Sequence, residues 1–308
     1  MKIVDSVLVQ FDEEDFTSEE LIIPDEVTEI KTIMEWSGKR NKIVKVLNLN
    51  NVRDLFITGT VIKNGKPKPF TGLSPLFSGI TMIIAPELES MSSYFFSNRA
   101  SLTTLVAPKV KRIGNYAFTG CSNLKDVEIC SAELIEKEAF SRTAVETIEF
   151  SDNIKDIGSH AFAHTQLVEV DVKGAKCNGG AFAGCNKLNT LKISKLSAVA
   201  STAINYCESF KTLEVGDKIS RAKVFPFVSN NFTYNIKSED EEIKVIGNGY
   251  DCKSYNIIQK IAIDSEYAVC IVKGGYLVWS HSRDSFISYE KESLDKVMQI
   301  IEYEKRRK

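Results

Sequence analysis

Between Met91 and Phe210 one phrase recurs, and its spacing limits what the chain can fold into. It reads Ile113-Gly-Asn-Tyr-Ala-Phe118-Thr-Gly-Cys-Ser-Asn-Leu124-Lys-Asp-Val-Glu-Ile129 and returns with variations. An anchor aromatic falls at Phe96, Phe118, Phe140, Phe162 and Phe182, and Ile204 takes the next place, in steps of 22, 22, 22, 20 and 22 residues. A fixed period of this length is the signature of a solenoid, in which each unit contacts only its neighbours.

Each unit carries a strand signal of the form apolar-x-x-apolar-x-apolar: Leu102–Ala107, Leu124–Ile129, Val145–Phe150, Leu167–Val172, Leu188–Ile193 and Phe210–Val215. Toward the end of each signal, alternation puts two apolar side chains on one face and the residue between them on the other. A second short apolar element precedes each anchor, at Met91, Ile113, Ile135, Ile157, Cys177 and Val199. One unit cannot bury its own apolar face; stacking does. The expected fold is a solenoid with a parallel β-sheet on one side and repeats of about 22 residues, followed by a small α+β module.

The phrase Ile-Gly-x-x-Ala-Phe-x-x-Cys-x-x-Leu-x-x-Val/Ile-x-Ile resembles the BspA-like leucine-rich repeat family, the Treponema pallidum type. The match is best at 113–129 and 157–172, recognisable at 135–150 and 177–193, and extends over about residues 21–215. The resemblance implies a curved solenoid with a parallel sheet on one side, and a microbial surface adhesin as one functional expectation. It says nothing about a ligand.

Residues 1–20 read as an N-terminal cap strand, with Ile3, Val7, Val9 and Phe11 alternating. Residues 21–215 are the solenoid; Trp36 takes the anchor's place in a degenerate first repeat, and Phe77-Ser-Gly restores the phrase in short form. Asn64–Gly72 reads as an exposed loop, because Gly and Pro punctuate it. Residues 216–308 form the C-terminal cap and module. Phe225–Val228, Phe232–Ile236 and Ile243–Ile246 read as closing strands. Ile257–Ile263 and Tyr267–Val272 read as further strands, with a tight turn at Lys273–Tyr276 and a return strand at Leu277–Trp279. A helix is expected over 288–306, with Ser288 as N-cap and Leu294, Val297, Met298 and Ile301 on one stripe.

Composition excludes several functions. Net charge is −2, giving no global pull toward nucleic acid or anionic membrane, and no apolar run reaches membrane-span length. The chain opens with acidic rather than signal-like residues, so a cytoplasmic location is expected, with the cell surface as the alternative if a signal has been removed. Seven cysteines show no zinc spacing, and Cys121, Cys185 and Cys207 share one repeat position, three after the anchor, as small buried groups. Cys252, Cys270, His281 and Asp284 share the C-terminal module, yet Cys270 lies in the apolar run Ala268–Val272, where burial makes a thiol inert. His160 and His164 flank Phe162 in slots that read as chance solvent positions rather than a ligand pair. Neither phosphate-binding fingerprint is present. Lys109–Arg112 and Lys305–Lys308 lack interleaved aromatics and read as solvated charge. No catalytic residue, cofactor or metal is expected, and the chain is read as not an enzyme.

What remains is the outward letters of the strands. The slot between the final two apolars holds Val106, Glu128, Glu149, Asp171, Lys192 and Glu214; the slot before the middle apolar holds Thr104, Asp126, Thr147, Glu169, Thr190 and Thr212. Stacked in register, these form one exposed face with an acidic stripe: Asp126, Glu128, Glu149, Glu169, Asp171 and Glu214, with Lys192 among them. Carboxylates about 4.8 Å apart repel, and a basic surface relieves them. The expected function is therefore a non-enzymatic protein-interaction module that binds a protein or peptide with a basic surface. A second reading makes the solenoid a targeting scaffold for a C-terminal effector, inhibitor or dimerisation element, with Tyr276 and Trp279 as a possible interface. A third, a cysteine-dependent hydrolase in that module, needs Cys252 or Cys270 exposed beside His281.

Overall fold

A computed structural model describes residues 1–10, 18–32, 44–63, 66–71, 79–195, 198–200, 202–216, 234–238, 242–246, 257–264, 266–272, 275–280, 285–287 and 292–306. Trp36, Phe77, the 225–228 segment, the Lys273–Gly274 turn, Cys252, His281, Asp284 and Ser288 lie outside the described residues.

The chain opens as a hairpin rather than a single cap strand. β1 (Lys2–Val4) and β2 (Val7–Gln10) pair antiparallel across Asp5 and Ser6, whose φ values of 49° and 64° are those of a tight hairpin turn. The first turns follow with β3 (Glu20–Ile22), β4 (Glu29–Thr32) and β5 (Val46–Asn48). β6 (Asp54–Lys63) and β7 (Lys66–Thr71) form a long antiparallel hairpin where sequence predicts a loop over 64–72. Prolines 67 and 69 fit in β7 because, among the described strands, it pairs with β6 alone, and an edge strand tolerates proline.

The regular turns then alternate two kinds of strand. Before each anchor lie β9 (Ser90–Met91), β11 (Arg112–Ile113), β13 (Leu134–Ile135), β14 (Asp156–Ile157) and β16 (Lys176–Cys177), paired in parallel; Cys177 extends the series by a bridge to Val199. The second kind comprises β8 (Met82–Ile84), β10 (Thr104–Val106), β12 (Asp126–Glu128), β15 (Glu169–Asp171), β17 (Thr190–Ile193) and β18 (Thr212–Val215). Registers on this second face match the repeat, as in Leu105↔Val127 and Leu191↔Leu213.

The core between the faces is a spine of anchors. Phe96, Phe118, Phe140, Phe162 and Phe182 are all fully buried and stack ring on ring at centroid distances of 5.7, 5.2, 5.3 and 5.8 Å, within 12° of parallel. Each anchor N–H donates at 2.8 Å to the carbonyl of the alanine before the next anchor, from Phe96→Ala117 through Phe182→Ala203. All five alanines are fully buried, while Phe95 fills the same place before Phe96 and packs edge-on against it at 4.7 Å. Side chains reach four of the five phenylalanine anchor carbonyls in two ways, and the Cys121 N–H donates to the fifth, that of Phe118, at 3.1 Å. Cys121, Cys185 and Cys207 donate Sγ–H at 3.1 Å to Phe96, Phe162 and Phe182 of the preceding turn, while Thr143 and Thr165 donate at 2.9 Å to their own anchors, Phe140 and Phe162. The shared cysteine position is thus structural, and burial pushes the Cys121 thiol up to about 12.

The predicted strand over 145–150 does not form. The strand-side sheet ends at β12 and a separate one begins at β15. In this turn Thr147 falls seven residues after its anchor, where Asp126 falls eight after Phe118, and ten residues before Ile157 instead of nine. The spacing of this turn therefore differs by one residue from that of the preceding turn, and Lys125 reaches Glu146 across the gap at 3.8 Å.

Past Val215 the second sheet continues. β19 (Tyr234–Lys237) adds in parallel to β18, then β20 (Glu242–Ile246), β21 (Ile257–Ala262), β22 (Tyr267–Val272), β23 (Gly275–Ser280) and β24 (Ser285–Phe286) follow antiparallel. Helix α1 (Leu294–Arg306) packs on β23, burying Val297 and Ile301, with Leu294 and Met298 partly buried beside them. Its cap is Ser293, whose hydroxyl accepts from the Lys296 N–H at 3.4 Å. The described helix thus begins six residues after Ser288.

The C-terminal end of α1 is tied back by charge. Lys305 pairs with Asp264, which also accepts the backbone N–H of Glu266 at 2.8 Å and of Tyr267 at 2.7 Å. Burial pushes the Asp264 carboxyl up, but Lys305 and these N–H groups outweigh it and hold the carboxyl below its ordinary 3.8. A depressed carboxylate stabilises above its unfolded pKa and loses that contribution as pH falls through the lower folded value. Asp264→Asn keeps the backbone bonds and loses the charge. Its urea midpoint is expected below wild type at neutral pH, with the gap closing as pH drops below 3.8; a constant gap would refute the pairing.

Candidate functional site

On the strand side the inward residues Leu21, Leu47, Ile83, Leu105, Val170, Leu191 and Leu213 are buried, so their neighbours face out. These outward positions form three zones rather than the single acidic stripe expected from sequence, because the sheet is interrupted and its C-terminal half is charge-balanced.

The C-terminal zone is alternating. One cross-strand row reads Asp171, Lys192, Glu214, Lys237 in register. Lys192 Nζ lies 2.7 Å from Glu169 and 3.7 Å from Glu214, and Lys173 Nζ lies 3.1 Å from Asp171. The Glu169 hydrogen bond, then the charges of Glu169 and Glu214, push Lys192 up; the bond to Asp171 does the same for Lys173. Repulsion is absent here because a lysine separates the carboxylates. The row borders a groove of about 460 Å³.

The middle zone is different. Asp126 and Glu128 are exposed at the edge strand β12, and Glu149 is exposed on the irregular turn beside it; among the described residues none of the three has an ion pair. Of the acidic residues selected from sequence, these three stand outside the ion pairs of the described residues, although the charge of Glu149 also acts on Lys173. The N-terminal zone, which the column reading did not pursue, is largely apolar: Ile22, Val46, Met82, Ile84 and Val106.

Tyr276 and Trp279 do not form one surface. They are three apart on β23 and so point to opposite faces; Tyr276 packs beside Val278 on the core side and bridges Glu292, and both are partly buried. Cys270 is fully buried within β22.

The basic run Lys109–Arg112 is neutralised by neighbouring turns. Lys109 meets Glu87 at 2.7 Å, Lys111 meets Glu89 at 2.8 Å and Arg112 meets Glu136 at 2.7 Å. Lys155 continues the pattern with Glu133 at 2.5 Å, so Glu89, Lys111, Glu133 and Lys155 alternate along successive turns. Each exposed pair contributes little to stability.

The histidine slots are not arbitrary. His160 and His164 have φ of 57° and 59°, two residues on either side of Phe162, at corners where every regular turn takes a left-handed residue. Their rings lie over Gly180 and Gly184 of the next turn, as Asn98 lies over Gly120. Those glycines leave the space the rings occupy. On the same corner Tyr94 and Tyr116 stack at 4.7 Å, with Lys137 Nζ 5.4 Å from the Tyr116 centroid. The recurrence of aromatics two before the anchor was the available signal for this pair. Among the described residues no cluster of three His, Cys, Asp or Glu could hold a metal, and no helix is long and apolar enough to cross a membrane.

Anchors, paired parallel strands and a half-charged, half-apolar sheet face define a leucine-rich repeat solenoid. The sequence matches the BspA type leucine rich repeat region in six copies over residues 76–169 and 173–268, and the chain belongs to that family. No curated protein matches it. Among solved structures, a leucine-rich repeat protein from Bacteroides ovatus is 15% identical with a TM-score of 0.37, over 64% of this chain and 55% of that one. A leucine rich cell surface protein from Faecalibacterium prausnitzii is 18% identical with a TM-score of 0.31, over 68% and 81%. The pneumococcal vaccine antigen PcpA is 16% identical with a TM-score of 0.28, over 65% and 57%. The chain thus spans little more than half the length of the first of these.

Proposed function

We propose that this chain is a protein-interaction module that binds a protein or peptide partner through its strand face, with a basic patch of the partner over Asp126, Glu128 and Glu149. The observation that carries this reading is that among the described residues these three carboxylates make no ion pair, while Glu169, Asp171 and Glu214 each have a lysine within 4 Å. Exposed like charges at a sheet edge gain nothing locally and gain most when an opposite charge arrives. The repeat family supports an interaction role without selecting a partner. An adhesin at the cell surface is one form of this reading; surface labelling of the producing cells distinguishes it from a cytoplasmic scaffold.

The test is affinity capture by the full chain and by Asp126→Lys/Glu128→Lys/Glu149→Lys, quantified by mass spectrometry. Partners retained by the wild type are expected to fall at least about tenfold with the variant, since rim charges act chiefly on association. An unchanged capture profile rejects the acidic zone.

A further inference from the structure

The first strand-side sheet, in the order β12-β10-β8-β5-β3, presents two outward rows fixed by its register. One reads Ile22, Asn48, Ile84, Val106, Glu128; the other reads Glu20, Val46, Met82, Thr104, Asp126. Five of these ten positions are apolar and cluster over four strands, with Ile22 52% exposed. A solvated sheet face normally alternates apolar-in with polar-out. Here the outward side is apolar as well, in a patch ending at two carboxylates that make no ion pair among the described residues.

Resting on the interaction reading above, we infer that this sheet binds one polypeptide segment of defined chemistry: an apolar stretch seated on Val46, Met82, Ile84 and Val106, continuing into two or more Lys or Arg residues over Asp126 and Glu128. The charge asymmetry sets the direction, because only the β12 end pairs two adjacent carboxylates with a third, Glu149, on the next turn. Five strands span about 19 Å, the length of about six residues of extended chain. The apolar contacts supply affinity and the carboxylates fix register and exclude acidic competitors.

The test is selection of a random peptide-display library on the immobilised full chain, followed by binding measurements with the enriched peptides made synthetically. The expected result is enrichment of an apolar run adjoining Lys or Arg. Binding should weaken at least about tenfold with Ile84→Thr/Val106→Thr, and again with Asp126→Lys/Glu128→Lys. Threonine keeps β-branching at outward positions, and the more exposed Ile22→Thr supplies a second apolar variant. Unchanged circular dichroism and urea midpoint confirm folding. Purely basic peptides that ignore both apolar variants would overturn this inference and leave the acidic interaction reading standing. Failure to enrich any peptide, or binders insensitive to every variant, would overturn both. A wild-type dimer by light scattering that dissociates in Ile84→Thr/Val106→Thr would assign the patch to a second copy instead.

Discussion

Phe140→Ala is expected to destabilise the solenoid by about 3–5 kcal/mol, the range for emptying a fully buried aromatic site. Phe140 sits at the middle of the ring column, with Phe118 at 5.2 Å on one side and Phe162 at 5.3 Å on the other. The substitution removes both stacking contacts, each of about 0.5–1.5 kcal/mol beyond burial, and leaves a cavity between layers. Those layers are held at fixed spacing by the 2.8 Å Phe140 N–H to Ala161 bond, so the site cannot collapse freely. Because a solenoid is stabilised by nearest-neighbour interfaces, the damage should be local, and turns on either side should begin to unfold separately. Urea unfolding with hydrogen exchange resolved by segment reads this. Phe140→Leu, which keeps most of the volume, should lose much less; equal losses in the two variants would show that packing of the ring is not the cause.

Gly158→Ala is the second large expectation. A Cβ there would lie 2.6 Å from the Glu136 carbonyl carbon and 2.7 Å from the Lys137 nitrogen, backbone atoms that cannot rotate away. The adjoining Gly158 N–H to Ile135 bond of 2.8 Å is one of those that set the distance between turns. Replacing glycine by alanine ordinarily gains about 0.4–1 kcal/mol through the unfolded chain. Overpacking of about 1–3 kcal/mol outweighs it, so a net loss is expected. Gly174 is the internal control, since nothing lies within 4 Å of its added Cβ. Gly174→Ala should be neutral or slightly stabilising. Matching melting temperatures for the two variants would remove the close approach as the reason for glycine at 158.

Much of the architecture was legible because it is written in residues that repeat. Buried groups of one size must recur at one spacing, so Phe118, Ala117 and Ile113 announce their roles through their counterparts, and the terminal helix announces itself through Leu294, Val297, Met298 and Ile301. The site was legible only in part. Strand alternation identified which letters face outward, including Asp126, Glu128 and Glu149, but not which of them would be neutralised.

That distinction depends on neighbours across turns. By itself the sequence determined the period, the identity of the core column and the two faces, because short-range alternation and a fixed repeat require no long-range information. Only the tertiary structure decided that Glu169 and Glu214 would share Lys192, at 2.7 and 3.7 Å. It also decided that 145–150 would form no strand between β12 and β15. The physical reason is the same in each case: a one-residue change in register moves a side chain to another face, and charge pairing depends on a few ångströms that only the stacked turns define.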